Sequence, residues 1–250
     1  MTTYRGPLLI WLIGNMMSAG VLAAIWLTAS GSSTFGGYTR EQLITYYIVG
    51  LLFQWIINWL PFYSVADDIK SGHLAVSVLL KPVSLYLSKF FDDIGWHVIS
   101  VGIGLIGTIF LALFFSGSIA IELTLSKFLL LIPAVIMAII IVFTCSLSLG
   151  LLAFWFTEVS FFDTIFWSGR LFLGGQGIPI SFFPANILWL INLLPFRYMF
   201  SFPMEILFRN LTNNELLFGF LMQIVWVVIF WLIYRLFWYR GRIAYTSFGH

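Results

Sequence analysis

Residues 128–156 read FLLLIPAVIMAIIIVFTCSLSLGLLAFWF, without one Asp, Glu, Lys or Arg. A helix needs about 20 apolar residues to cross the roughly 30 Å hydrocarbon layer, and this stretch is long enough. Outward from it, the reading places further spans at about 7–30, 42–63, 94–116, 160–178 and 216–238. The composition agrees. The chain has 250 residues, 61% hydrophobic, 19% aromatic and only 9% charged, with a mean hydropathy of +1.01. A water-soluble globule carries about 25% charged residues and has to keep most of its surface solvated. The reading is therefore an all-α integral membrane protein: six transmembrane helices in one domain over residues 1–250, with membrane lipid around it.

Two features bound the chemistry. The net charge is +2, which excludes a strongly basic nucleic-acid binder. A lone cysteine, Cys145, excludes a disulfide framework and a thiolate-rich metal site. The sequence has no G-x-x-x-x-G-K-[ST], no H-E-x-x-H and no G-x-S-x-G. No catalytic, cofactor-binding or metal-ligating residue is assigned. His73, His97 and His250 are scattered, and His97 reads as a hydrogen-bonded histidine near a span end.

Between spans five and six the pattern changes. Residues 158–209 are apolar but interrupted by Asp163, Arg170, the run Gly174-Gly175-Gln176-Gly177, and Pro179, Pro184, Pro195 and Pro203. Proline removes a backbone donor, and broken backbone at membrane depth survives only inside protein or along a wet cavity. We expect an extracellular re-entrant hairpin at about 179–206. Lys and Arg fall seven inside against four outside when both termini are cytoplasmic, the orientation favoured by the positive-inside rule.

The longest polar loop, about 64–93, then lies inside, with apolar and polar residues alternating as in short interfacial helices and Lys81-Pro82 dividing it. Arg170 and Asp163 are costly within a bilayer and share a helix face about 10 Å apart along the axis, too far to pair directly. Each therefore needs another partner. Gly102, Gly104 and Gly107, and Ser146 with Gly150, have the small-residue spacing that lets helices approach.

Asp68-Ile69-Lys70-Ser71-Gly72-His73-Leu74 followed by Leu79-Leu80-Lys81-Pro82 resembles the I-x-x-G-x-L … L-x-[KR]-P signature of bacterial ABC-2-type permeases. Gly177-Ile178-Pro179-Ile180, Phe183-Pro184, Leu194-Pro195-Phe196 and Pro203 resemble the same family's outer hairpin. Together the motifs cover most of the chain from about residue 40. The resemblance implies the permease subunit of an ATP-binding cassette exporter in the bacterial cytoplasmic (inner) membrane. Two cytoplasmic ATPase subunits would carry ATP and Mg, and a second permease, the same or homologous, would complete the assembly.

On this sequence the coupling loop maps to Asp67, Asp68, Lys70, Gly72, His73, Leu74, Lys81 and Pro82. The hairpin maps to Pro179, Pro184, Pro195, Phe196 and Pro203. Gln54, Asn58, Arg170 and Gln176 are the candidate path residues. The start departs from the pattern: family members usually carry a longer basic amphipathic segment before the first span, and here Met1–Gly6 precede it. Two rival readings are an ion-coupled secondary transporter or channel, which the few intramembrane carboxylates argue against, and an intramembrane lipid-modifying enzyme using Asp92 and Asp93.

Overall fold

Residues 5–28, 34–74 and 83–245 are described by the computed structural model of the chain, with side chains for all of these except 5–9 and 11. The described chain is helical throughout: α1 (Arg5–Thr28), α2 (Arg40–Ile57), α3 (Phe62–Lys70), α4 (Leu85–Phe114), α5 (Leu125–Gly150), α6 (Ser160–Leu173), α7 (Ala185–Leu193), α8 (Pro195–Met199), α9 (Ser201–Phe208) and α10 (Asn213–Ala244). Four stretches are long and apolar enough to cross a membrane: Arg40–Lys70, Leu85–Phe114, Leu125–Phe154 and Asn213–Ala244, with Leu12–Thr28 as a shorter apolar helix.

Local chemistry sets the helix ends. Thr39 and Gln42 form a reciprocal capping box at the start of α2, and Thr212 and Glu215 form another at the start of α10. Each box satisfies two backbone donors that the first turn leaves free. Ser84 accepts the Leu87 N–H and starts α4. That start lies well before the predicted span at 94–116, because Lys89, Asp92 and Asp93 are compatible with the first turns of a helix that extends past the bilayer.

The predicted span at 42–63 is interrupted. Asn58 leaves helical geometry (φ −79°, ψ 61°) and Pro61 precedes α3. Proline disfavours helical backbone in the residue before it, so the chain bends at 58–61. The freed Phe62 N–H donates to Ser146 Oγ of α5 at 3.2 Å. Beyond the bend α3 is amphipathic. Phe62, Val65, Ala66 and Ile69 are buried, the i, i+3, i+4, i+7 pattern of a helix face packed on a core. The expected loop at 64–93 therefore begins as the helix α3 and ends as the first turns of α4. Lys81 and Pro82 lie outside the described residues.

α6 also differs from expectation. It stops at Leu173, where Gly174 and Gly175 follow and Gly175 takes φ +87°. Its 14 residues rise about 21 Å, less than a bilayer. The expected hairpin at 179–206 is a series of short helices. Pro184 precedes α7, Pro195 opens α8, and Phe200 (φ −142°, ψ −55°) separates α8 from α9.

The helices pack closely where the small residues stand. Gly104 faces Trp55 of α2, and Gly107 faces Leu12 and Met16 of α1. A Cβ on Gly150 would stand 2.8 Å from the Phe62 carbonyl oxygen, whereas Gly102 faces open space. Gln223 of α10, fully buried, donates to the carbonyls of Ala134 (2.9 Å) and Tyr198 (3.1 Å), so one side chain joins α10, α5 and α8.

Gly150→Ala should destabilise the protein by about 1–3 kcal/mol through overpacking against backbone. Gly102→Ala should be neutral or slightly stabilising, because alanine is the better helix former. Melting temperatures of the two variants in detergent check this, and an equal response at both positions would contradict the packing described.

Candidate functional site

A cavity of about 660 Å³ lies between α1, α2, the bend at 58–61, α4, α6 and the glycine loop at 174–177. Gln54, Asn58, Arg170 and Gln176, the path candidates named from sequence, all stand on its wall. The rest of the wall is mainly aromatic, including Tyr46, Tyr47, Trp55, Trp96, Phe166 and Trp167.

Arg170 is only 2% exposed. Its Nη2 donates to Asn58 Oδ1 across the cavity, and its guanidinium carbon lies 5.5 Å from the Phe166 ring centroid, a cation–π arrangement. Asp163, two turns earlier on the same helix, accepts from the Tyr63 hydroxyl at 3.0 Å. The partners that the sequence required for these two groups are therefore Asn58 and Tyr63, both near the bend between α2 and α3. At the other end of the cavity Tyr46 donates to the Gly175 carbonyl (2.7 Å) and Tyr47 to the Gly177 carbonyl (3.1 Å). Those two bonds hold the glycine loop and place Gln176 between them. Gly175 is obligatory here, since its φ is +87° and a Cβ would meet Ser201 Oγ at 2.9 Å. His97 shares a hydrogen bond of 3.0 Å with the Ile56 carbonyl and stacks on Trp59.

A side-chain acceptor also orders the start of α6. Glu158, fully exposed, accepts the Ser160 N–H at 3.0 Å. Bonds from the Ser160 backbone and hydroxyl hold its carboxyl below the usual carboxylate range.

Near α3 the sequence-named residues divide into two groups. Asp67, Lys70 and His73 are exposed, while Leu74 is buried. Gly72 turns the chain with φ +78°. Asp68 pairs with Lys89 of α4 at 2.6 Å, and Lys89 Nζ also reaches the Ser64 carbonyl at 3.4 Å. Asp92 accepts from the Ser88 hydroxyl at 3.3 Å. Among the described residues no three His, Cys, Asp or Glu side chains converge on a metal-sized site.

In the proline-rich segment Pro179, Pro195 and Pro203 are buried, Pro184 is exposed, and half-buried Phe196 packs on Gly169 of α6. The sequence reading missed Glu205. It is 3% exposed and accepts from Arg197 at 2.7 Å and from the Ser201 hydroxyl at 3.1 Å, with Arg209 at 3.9 Å. The available signal was its place four residues before Arg209 and eight after Arg197. Tyr46, Tyr47 and Tyr63 were missed as well. Their only sequence signal was hydroxyl groups inside an apolar stretch.

The sequence profile of the family described as "ABC-2 family transporter protein" matches residues 15–249. The chain belongs to that family and is a multi-pass membrane protein of the transporter class. No curated protein and no solved structure matches it.

Asn58→Leu should cost about 1.5–3 kcal/mol, because it removes a hydrogen bond to a buried charged group. Tyr46→Phe should cost about 1 kcal/mol. Thermal melting in detergent measures both, and a larger loss for Tyr46→Phe than for Asn58→Leu would overturn the ranking.

Proposed function

We propose that this chain is the membrane permease of an ATP-binding cassette exporter, with ATP hydrolysed on separate cytoplasmic subunits. Family membership over residues 15–249 is the observation that carries this reading. The proposed assembly holds two ATPases and a second permease, the same or homologous, in a bacterial inner membrane with both termini cytoplasmic. In this arrangement α1, and α6 continued by the glycine loop to about residue 178, join the four longer stretches to give six spans. The segment at 179–206 closes the outer side.

The cavity is the proposed translocation path on this subunit, with Gln54, Asn58, Arg170 and Gln176 on its wall. The docking surface for the ATPase is the exposed side of α3 and the turn after it: Asp67, Lys70, Gly72 and His73, continuing through Lys81 and Pro82. What supports a mechanical link is the continuity of α3. One end carries Asp67 and Lys70, and the other carries Tyr63, whose hydroxyl bonds Asp163 across the cavity. α3 is nine residues long, about 13 Å, and the Asp68–Lys89 pair fastens it to α4. A push on its exposed end tilts a rigid segment about the bend at 58–61. That movement strains the Tyr63–Asp163 and Asn58–Arg170 bonds, so α6 moves relative to α2 and the cavity changes shape.

Purification of the chain from its native membrane in mild detergent should bring down a P-loop ATPase, identified by mass spectrometry. Reproducible recovery of the folded chain alone would place the secondary-transporter reading first. Charge reversal at Lys81, or Lys89→Ala, should lower transport several-fold while membrane insertion stays normal. Unchanged transport with unchanged ATPase association in both variants would remove the coupling role from this surface.

A further inference from the structure

The wall of the cavity carries two charged side chains, Arg170 and Asp163, that do not pair with each other. Arg170 is buried, and its side-chain hydrogen bond goes to the neutral carboxamide of Asn58. Among the described residues no carboxylate lies within ion-pairing distance of it. The molecule pairs its other buried charges differently: Glu205 has Arg197 and Arg209 against it, and Lys89 has Asp68. A buried cation without a countercharge is costly and is retained where something else supplies the negative charge.

A second observation is independent of charge. Three buried side-chain atoms on this wall have no hydrogen-bond partner: Trp55 Nε1, Arg170 Nε and Gln176 Nε2. All three are N–H donors. Buried polar groups are ordinarily paired, and three unpartnered donors on residues lining one cavity call for an acceptor with several lone pairs. Carboxylate, phosphate and sulfonate groups meet that requirement, and guanidinium binds such oxyanions well.

The remainder of the wall selects the rest of the ligand. It is largely aromatic and aliphatic, with Asn15, Ser18, Gln54, Asn58, His97 and Ser100 among it, and pockets of this kind bury an apolar body and orient it through a few polar groups. The one carboxylate on the wall, Asp163, stands about 10 Å from Arg170 along α6, from the helical rise. It repels an anionic headgroup from that end and so fixes the direction in which the ligand lies.

We infer that the cavity binds an amphipathic anion, its acidic headgroup held by Arg170, Gln176 and Trp55 and its apolar body lying along the aromatic wall. This inference rests on the reading of the cavity as the ligand path and names its substrate class. A free organic acid and an anionic lipid share this chemistry.

The test uses the full chain in phosphatidylcholine nanodiscs and 11-(dansylamino)undecanoate as the probe, read by energy transfer from tryptophan. Its methyl ester and a matched trimethylammonium compound serve as neutral and cationic counterparts. The carboxylate should bind saturably and at least about tenfold more tightly than either counterpart. Arg170→Met and Gln176→Glu should each weaken it about tenfold, while Arg170→Lys keeps most of the affinity, since bonds to charged groups are of that strength. Trp55→Phe should give a smaller loss in a protein of unchanged charge, which keeps the test open where Arg170→Met fails to fold. Displacement of the bound carboxylate by added phosphatidylglycerol would support the class with a lipid as its source. Retention of the carboxylate under the same addition would support it with a soluble acid.

Equal binding of all three compounds, preference for the ammonium compound, or unchanged affinity in Gln176→Glu and Trp55→Phe would overturn the inference. Ser18→Trp, which narrows the same cavity from α1, separates that failure from the wider one. If the ammonium compound is preferred and Ser18→Trp abolishes its binding, the path reading stands and only the ligand class falls. If no probe binds saturably and Ser18→Trp changes nothing, both fall.

Discussion

Inside a bilayer no water is available to satisfy a freed amide or carbonyl. Several places where this chain leaves helical geometry are accordingly closed by side chains from elsewhere. At the bend after α2, Ser146 takes the Phe62 N–H and His97 meets the Ile56 carbonyl. At the end of α6, Tyr46 and Tyr47 cap the glycine-loop carbonyls. In the proline-rich segment, Trp226 donates to the Leu193 carbonyl and the Tyr198 hydroxyl to that of Asn192. Two of these three interruptions face each other across the cavity. The breaks that make the site are thus the same features that require its polar residues.

Among the buried charges, Glu205 and Arg170 show two solutions to one electrostatic problem. Glu205 is neutralised within the protein, by arginines on either side of it in sequence. Its network ties α8 to α9 and serves structure. Arg170 has only a carboxamide and an aromatic face. Since both lie in the same low-dielectric interior, the contrast cannot be a general consequence of burial. The carboxylate that shares the cavity wall with Arg170, Asp163, stands two helical turns away and is bonded to Tyr63.

Much of this was legible in the sequence, for physical reasons. Length and hydropathy report bilayer crossing directly, so α4, α5 and α10 were found. Arg170 stood out because any ionisable group in an apolar stretch is costly, and Gln54, Asn58 and Gln176 because polar amides there are uncommon. What the sequence concealed was partnership across distance. The Asn58–Arg170 bond joins residues 112 positions apart, and no periodicity encodes that. The bend at 58–61 was hidden because Leu60 and Pro61 continue the apolar pattern that locates a span. The lack of charge that locates a span says nothing of the N–H that proline lacks. Glu205 was hidden because a charge near other charges reads as a loop, until the fold shows α9 buried along its whole length.

The glycine loop has one further consequence. Two phenolic hydroxyls fasten it to α2. Net hydrogen bonds of this kind contribute about 0.5–1.5 kcal/mol each, so releasing both costs only about 1–3 kcal/mol. The loop's backbone bonds from Gly174 to Arg170 and from Gly177 to Leu171 add to that cost. The loop end of the cavity is therefore tied to α2 by neutral hydrogen bonds, whereas an ion pair fastens α3 to α4 at the other.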